Sequence, residues 1–88
     1  MILPTIHMNG TSKNDLLEGW LKMSHALNAA ITAMVEEGPN GRDYYTQGDG
    51  VFYKAQDEQR ERIKKIAAVK EEIDTIVEHI ADAEGDRE

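Results

Sequence analysis

Residues 38–50 read Gly38-Pro39-Asn40-Gly41-Arg42-Asp43-Tyr44-Tyr45-Thr46-Gln47-Gly48-Asp49-Gly50. This stretch divides the chain into two long segments with helical periodicity, and so decides the fold. Gly38-Pro39 is a helix stop: glycine takes a left-handed cap and proline cannot continue the hydrogen-bond ladder. Asn40-Gly41 reads as a turn, and Gly48-Asp49-Gly50 as a second turn that opens the next helix. Most helix–helix connections run about 2–8 residues. A longer one carrying Arg42, Tyr44 and Tyr45 is a candidate site as well as a connection.

On the amino-terminal side the apolar positions Leu16, Trp20, Met23, Leu27, Ala30 and Met34 follow 3/4 spacing, a heptad-like seam. Leu17, Leu21 and Ile31 widen the stripe, as in a bundle helix. Thr11-Ser12-Lys13-Asn14-Asp15 is a helix start, with Ser12 as cap and Asp15 in the place of a capping-box acid. The first helix is expected over residues 12–37. On the carboxyl side Phe52, Ala55, Gln59, Ile63, Ile66, Val69 or Lys70, Ile73, Ile76 or Val77, and Ile80 repeat the spacing, predicting a second helix over 51–84. Glu61–Lys65 and Lys54–Glu58 are expected as surface ion pairs. Gly85 and the charged tail Asp86-Arg87-Glu88 are expected to lie past its end.

At 1.5 Å per residue the two helices are roughly 39 and 50 Å long. As an antiparallel hairpin they leave Ile76–Ala83 of the second beyond the start of the first. Residues 1–11 hold Ile2, Leu3 and Ile6 in an extended arm that is placed to cover that overhang. The fold class is thus all-α: one domain, a two-helix hairpin with an amino-terminal arm. A single hairpin cannot enclose a core, so a homo-oligomeric bundle is expected.

Composition narrows the function. The net charge is −7 over 88 residues, which argues against DNA or RNA as a partner. Residues 51–70 stand apart, with six bases against three acids, and directly follow the glycine-rich stretch. There is no cysteine, hence no disulfide and no thiolate metal site. His7, His25 and His79 lack the spacing of a helical metal pair, so no metal and no cofactor is assigned. No apolar run approaches a membrane span. The first residues lack a basic secretory n-region, so a cytoplasmic location is expected.

Chemistry-bearing residues form two groups. Asn40, Gly41, Arg42, Tyr44, Tyr45 and Gln47, with Lys54 just beyond, combine a phosphate-matching guanidinium with rings on which a base can stack. The bland alternative has the tyrosines plugging the top of the bundle and Arg42 paired with Asp43 or Glu37. Asn9, Thr11 and Ser12 offer hydroxyls and free amides at a helix start, suited to an anion or to plain capping. In the hairpin the two groups lie at opposite ends, and an antiparallel neighbour would bring them together. The basic run Lys54, Arg60, Arg62, Lys64 and Lys65 is either a solvated face or a phosphate contact beside the loop. No nucleophile–base set is present, so an enzyme is not expected.

Thr5-Ile6-His7-Met8-Asn9-Gly10-Thr11-Ser12, together with Pro39-Asn40-Gly41-Arg42-Asp43-Tyr44-Tyr45 and Gln47-Gly48, resembles a group of small helical proteins encoded by tailed bacteriophages. In size and architecture the chain is also similar to phage anti-defence sponge proteins. Those are small helical homo-oligomers that bind cyclic-nucleotide or ADP-ribose immune signals without cleaving them, and so blunt CBASS and Thoeris defences. The likeness implies a nucleotide second messenger as ligand and the host cytoplasm as location, but carries over no binding residue. A helical adaptor for a host or virion protein, with no small-molecule ligand, is the competing expectation.

Overall fold

The computed structural model describes residues 1–84, and the expected tail of Gly85 to Glu88 lies outside the described residues. Two long helices, α1 (Lys13–Glu36) and α2 (Val51–Asp82), pack against each other. Two short 3-10 turns, Gly41–Asp43 and Tyr45–Gln47, lie between them. No strand occurs among the described residues. The molecule is a rod, 67 × 19 × 16 Å. Ser12 caps α1 by accepting from the Asp15 N–H at 3.2 Å. The reciprocal Asp15 side-chain contact of a capping box is not formed. α2 stops at Asp82, because Ala83 takes an extended conformation (ψ 141°) while its N–H still donates to the Ile80 carbonyl.

The helices are locked in register at three levels. At one end Lys13 Nζ donates to the Ala83 carbonyl at 2.9 Å, so the first residue of α1 satisfies an orphan carbonyl at the end of α2. At the other end Gln59 Nε2 donates to the Met34 carbonyl at 2.9 Å, doing the same for the end of α1. Midway the Ser24 hydroxyl donates to Asp74, whose other oxygen takes a 2.7 Å ion pair from Lys70.

That central clasp corrects the expected seam. Ser24 is buried, whereas Met23 is 46% exposed and Ala30 is exposed; Ser24 and Ile31 occupy the inward positions instead. The reason is polar: a Ser hydroxyl turned inward is tolerated only with a partner, and Asp74 supplies one across the seam. On α2 the same rotation turns Lys70 in and leaves Val69 44% exposed. Of the alternatives at 76 and 77, Ile76 is the more buried.

The deepest burial lies near one end, where Ile76 is 6% exposed and Ile80 fully buried. Residues 1–12 precede α1 there with no helix or strand. The Pro4 carbonyl lies 2.8 Å from His79 Nε2, and since a carbonyl can only accept, that nitrogen carries the proton.

The ion pairs on the solvent side of α2 also differ from the expectation. Glu61 pairs with Lys64 at 3.2 Å rather than with Lys65, and Arg60 pairs with Asp57 at 2.7 Å. Lys54 and Lys65 have no ion pair among the described residues. Exposed pairs of either spacing are worth a few tenths of a kcal/mol, so neighbouring lysines compete for Glu61 almost evenly.

Two outcomes follow. Ile80→Ala should lower unfolding stability by about 2–4 kcal/mol, read from urea melts by circular dichroism. The Asp74 carboxyl is held below its ordinary value, first by the Lys70 hydrogen bond and then by the Ser24 hydroxyl. A depressed folded value stabilises the hairpin above the ordinary aspartate range and ceases to as pH falls through the lowered value. Asp74→Asn should therefore flatten the acid limb of a Tm-against-pH curve; an unchanged limb would show that the clasp carries none of it.

Candidate functional site

The segment between the helices is ordered by its own short-range bonds. Asn40 Oδ1 accepts from the Arg42 N–H at 3.0 Å, and the Asp43 and Tyr44 amides donate back to Asn40 and Gly41. The Gln47 N–H closes the second turn on the Tyr44 carbonyl at 2.9 Å. Gly48 and Gly50 then take positive φ (117° and 82°), a backbone region that a side chain would strain, and aim the chain into α2.

This geometry treats the two tyrosines differently. Tyr44 is half-buried, its ring centroid 6.3 Å from that of Phe52, so it packs against the start of α2. Tyr45 is 77% exposed and has no ring partner. Arg42 is exposed and forms no ion pair among the described residues, so the expected alternative of a pair with Asp43 or Glu37 is not what the structure shows. Gln47 and Lys54 are also exposed, and a Cβ at Gly41 would lie 4.0 Å from the Phe52 ring. The start of α2 has no side-chain cap and no acid in its first turn, so its free amides face the loop.

Two open grooves flank Gly38-Pro39. One, of 330 Å³, is lined by Met34, Val35, Gln56, Gln59, Arg60 and Ile63. The other, of 270 Å³, is lined by Asn40, Tyr44, Gln59 and Arg62, with Glu37 and Asp43 as an acidic wall. Arg62 donates to the Gln59 side-chain oxygen at 3.1 Å and has no carboxylate partner among the described residues. Gln59 and Phe52 fit the apolar spacing, so nothing in the sequence distinguishes them as site residues. Arg62 belongs to the basic run read as either a solvated face or a phosphate contact.

Asn40, Gly41, Arg42, Tyr44, Tyr45, Gln47 and Lys54 are thus gathered at one pole of the rod. Asn9, Thr11 and Ser12 lie at the other, exposed around a turn in which the Gly10 N–H donates to the His7 carbonyl. One chain does not join the groups. Among the described residues no three His, Asp or Glu cluster to hold a metal, and no helix is long and apolar enough to cross a membrane. In comparisons with protein-family models, curated proteins and solved structures, the chain matches none.

The split between the tyrosines is testable without a ligand. Tyr44→Ala should lower stability by about 1–2 kcal/mol, less than the cost for a fully buried aromatic. Tyr45→Ala should leave the apo melting temperature within a degree or so of the parent.

Proposed function

We propose that this chain is a non-catalytic binding protein that works as a homo-oligomer, and that its loop pole captures a nucleotide-derived second messenger without cleaving it. The observation that carries the ligand reading is the state of Arg42 and Tyr45. Among the described residues a guanidinium with no ion pair and a largely exposed aromatic ring with no ring partner stand on one pre-ordered loop. Together they offer a charge-assisted phosphate contact and a stacking face, the two contacts a nucleotide uses. Lys54 and the uncapped start of α2 add positive potential at the same pole. The resemblance to phage proteins supports an anti-defence role in the cytoplasm of an infected host.

Surface area supports the oligomer. A compact 9.9 kDa monomer exposes about 5,200 Å². This chain exposes 6752 Å². The excess, roughly 1,500 Å², is larger than the ~800 Å² each partner loses in a standard interface. A second reading, an adaptor for a host or virion protein, is favoured by the open groove beside Gly38, where Val35 is 64% exposed.

A thermal-shift screen against cyclic di- and trinucleotides, cyclic ADP-ribose variants and linear controls tests the ligand. A true ligand at a hundredfold excess over Kd should stabilise by about 2.7 kcal/mol and be recovered intact. Arg42→Ala should abolish the shift, and Tyr45→Ala should weaken binding by about 1–3 kcal/mol with little change in salt dependence. A flat screen leaves the adaptor as the better reading; a degraded ligand would make the protein an enzyme.

A further inference from the structure

We infer that one side of the hairpin is the contact surface for a second copy of this chain, packed antiparallel about a two-fold axis near Val69. The clasp of Ser24, Lys70 and Asp74 occupies one side of the seam between the helices. At 100° per residue, Met23 and Ala30 of α1 and Val69 of α2 emerge on the other. The three cross-helix hydrogen bonds, between residues 13 and 83, 24 and 74, and 34 and 59, together set an antiparallel register that brings Met23 near the level of Ile73, Leu27 near Val69, and Ala30 near Ile66. All six are apolar. Met23, Ala30 and Val69 are exposed, and Leu27, Ile66 and Ile73 are only half-buried by the hairpin. The opposite side carries the polar clasp at this level, and its groove is lined by Asn14, Glu18, Lys22 and His25 as well as by Leu17 and Leu21.

The occupant is specified by area and charge. The surplus surface of this chain exceeds what each partner of a standard dimer loses. The charges along α2 are complementary to themselves only when reversed. Residues 51–70 carry six bases and three acids, while 71–84 carry six acids and no base. A parallel copy sets like against like; an antiparallel one sets the basic half of each α2 against the acidic half of the other. Lys65 and Glu72 border the apolar face, are exposed, and have no ion pair among the described residues. A two-fold axis near Val69 brings each Lys65 to the level of Glu72 on the second copy.

The same operation carries the loop pole of one copy to the amino-terminal pole of the other. Arg42, Tyr45 and Lys54 then share an end with the second copy's Asn9, Thr11 and Ser12. That composite site rests on the ligand reading above; the interface does not.

The chain has no cysteine, so single-cysteine variants report on the interface alone. Light scattering should first give twice 9.9 kDa for the parent chain. Val69→Cys, oxidised with copper phenanthroline, should run as a disulfide-linked dimer on a non-reducing gel, while Ala67→Cys on the clasp side should not. Lys65→Cys mixed with Glu72→Cys should give a mixed dimer that neither variant forms alone. A monomeric parent, a Val69→Cys chain that does not link, or a Lys65→Cys chain that links to itself would each overturn the proposal, the last by showing parallel packing. No ligand is present in these measurements, so the interface and the nucleotide reading fail separately.

Discussion

The hydrogen bond from Ser24 to Asp74, completed by the Lys70 ion pair, is the contact on which the geometry of this hairpin turns. At 100° per residue the apolar positions of α1, from Ala30 round to Leu21, span about 180° of the helix, against the roughly 100° stripe of an ordinary surface helix. An arc that wide does not say which part faces the partner helix. The hydroxyl decides it. With Ser24 turned inward, Ile31 follows it a little under two turns later and Met23 and Ala30 are left outside. On α2 Lys70 displaces Val69 for the same reason. One polar cluster thus sets the rotation of both helices, and with it the composition of both sides of the rod.

The coarse fold was legible because its signals are local and redundant. The 3/4 spacing, the Ser12 cap and the Gly38-Pro39 stop each point to the same hairpin, and the helices begin and end within two residues of where these signs put them. Inward Ser24 was not legible: it is polar and reads as solvent-facing until its partner, 50 residues away, is known to be Asp74. At 69 and 70 the spacing left Val69 and Lys70 as alternatives, and the ion pair with Asp74 decides for Lys70. The choice between Met23 and Ser24 is therefore a tertiary decision that periodicity cannot make, since both fit the window.

The loop shows the same limit more sharply. Tyr44 and Tyr45 are adjacent and chemically identical, so no propensity separates them. What separates them is the backbone: Tyr44 is the hinge between two 3-10 turns, and its ring reaches Phe52, whereas Tyr45 opens the second turn and points away. Arg42 differs in kind. Its lack of an ion pair is a negative fact about its surroundings, and a sequence with Asp43 beside it and Glu37 nearby argues for the opposite. The acidic wall of the Tyr44 groove was equally hidden, and it matters: Glu37 and Asp43 make that groove a poor cradle for phosphate, so an anionic ligand is better served by the exposed side of the loop.

A net charge of −7 repels a polyanion from most of the surface, so a nucleotide site on this chain needs a locally positive end. The loop pole of a single chain is not positive overall, because Asp43 and Asp49 balance Arg42 and Lys54 and Glu36 and Glu37 lie beside them, so the positive potential is confined to the exposed side where Arg42 stands. An antiparallel second copy changes this in an unobvious direction: it delivers the acidic end of α2, with Asp82 and Glu84, to the same pole. That addition opposes an anion, while the partner's Asn9, Thr11 and Ser12 bring neutral donors. The interface and the ligand site therefore pull against each other electrostatically. In such a dimer the acidic end would lie against the start of the second copy's α2, and Lys54 would be partly spent on it. Arg42, on the loop beyond the end of α2, is the cation least engaged by that exchange. If the pole binds a nucleotide in the dimer, Arg42 must dominate the phosphate contact, and the slope of affinity against salt must be shallow, close to that of a single released counterion.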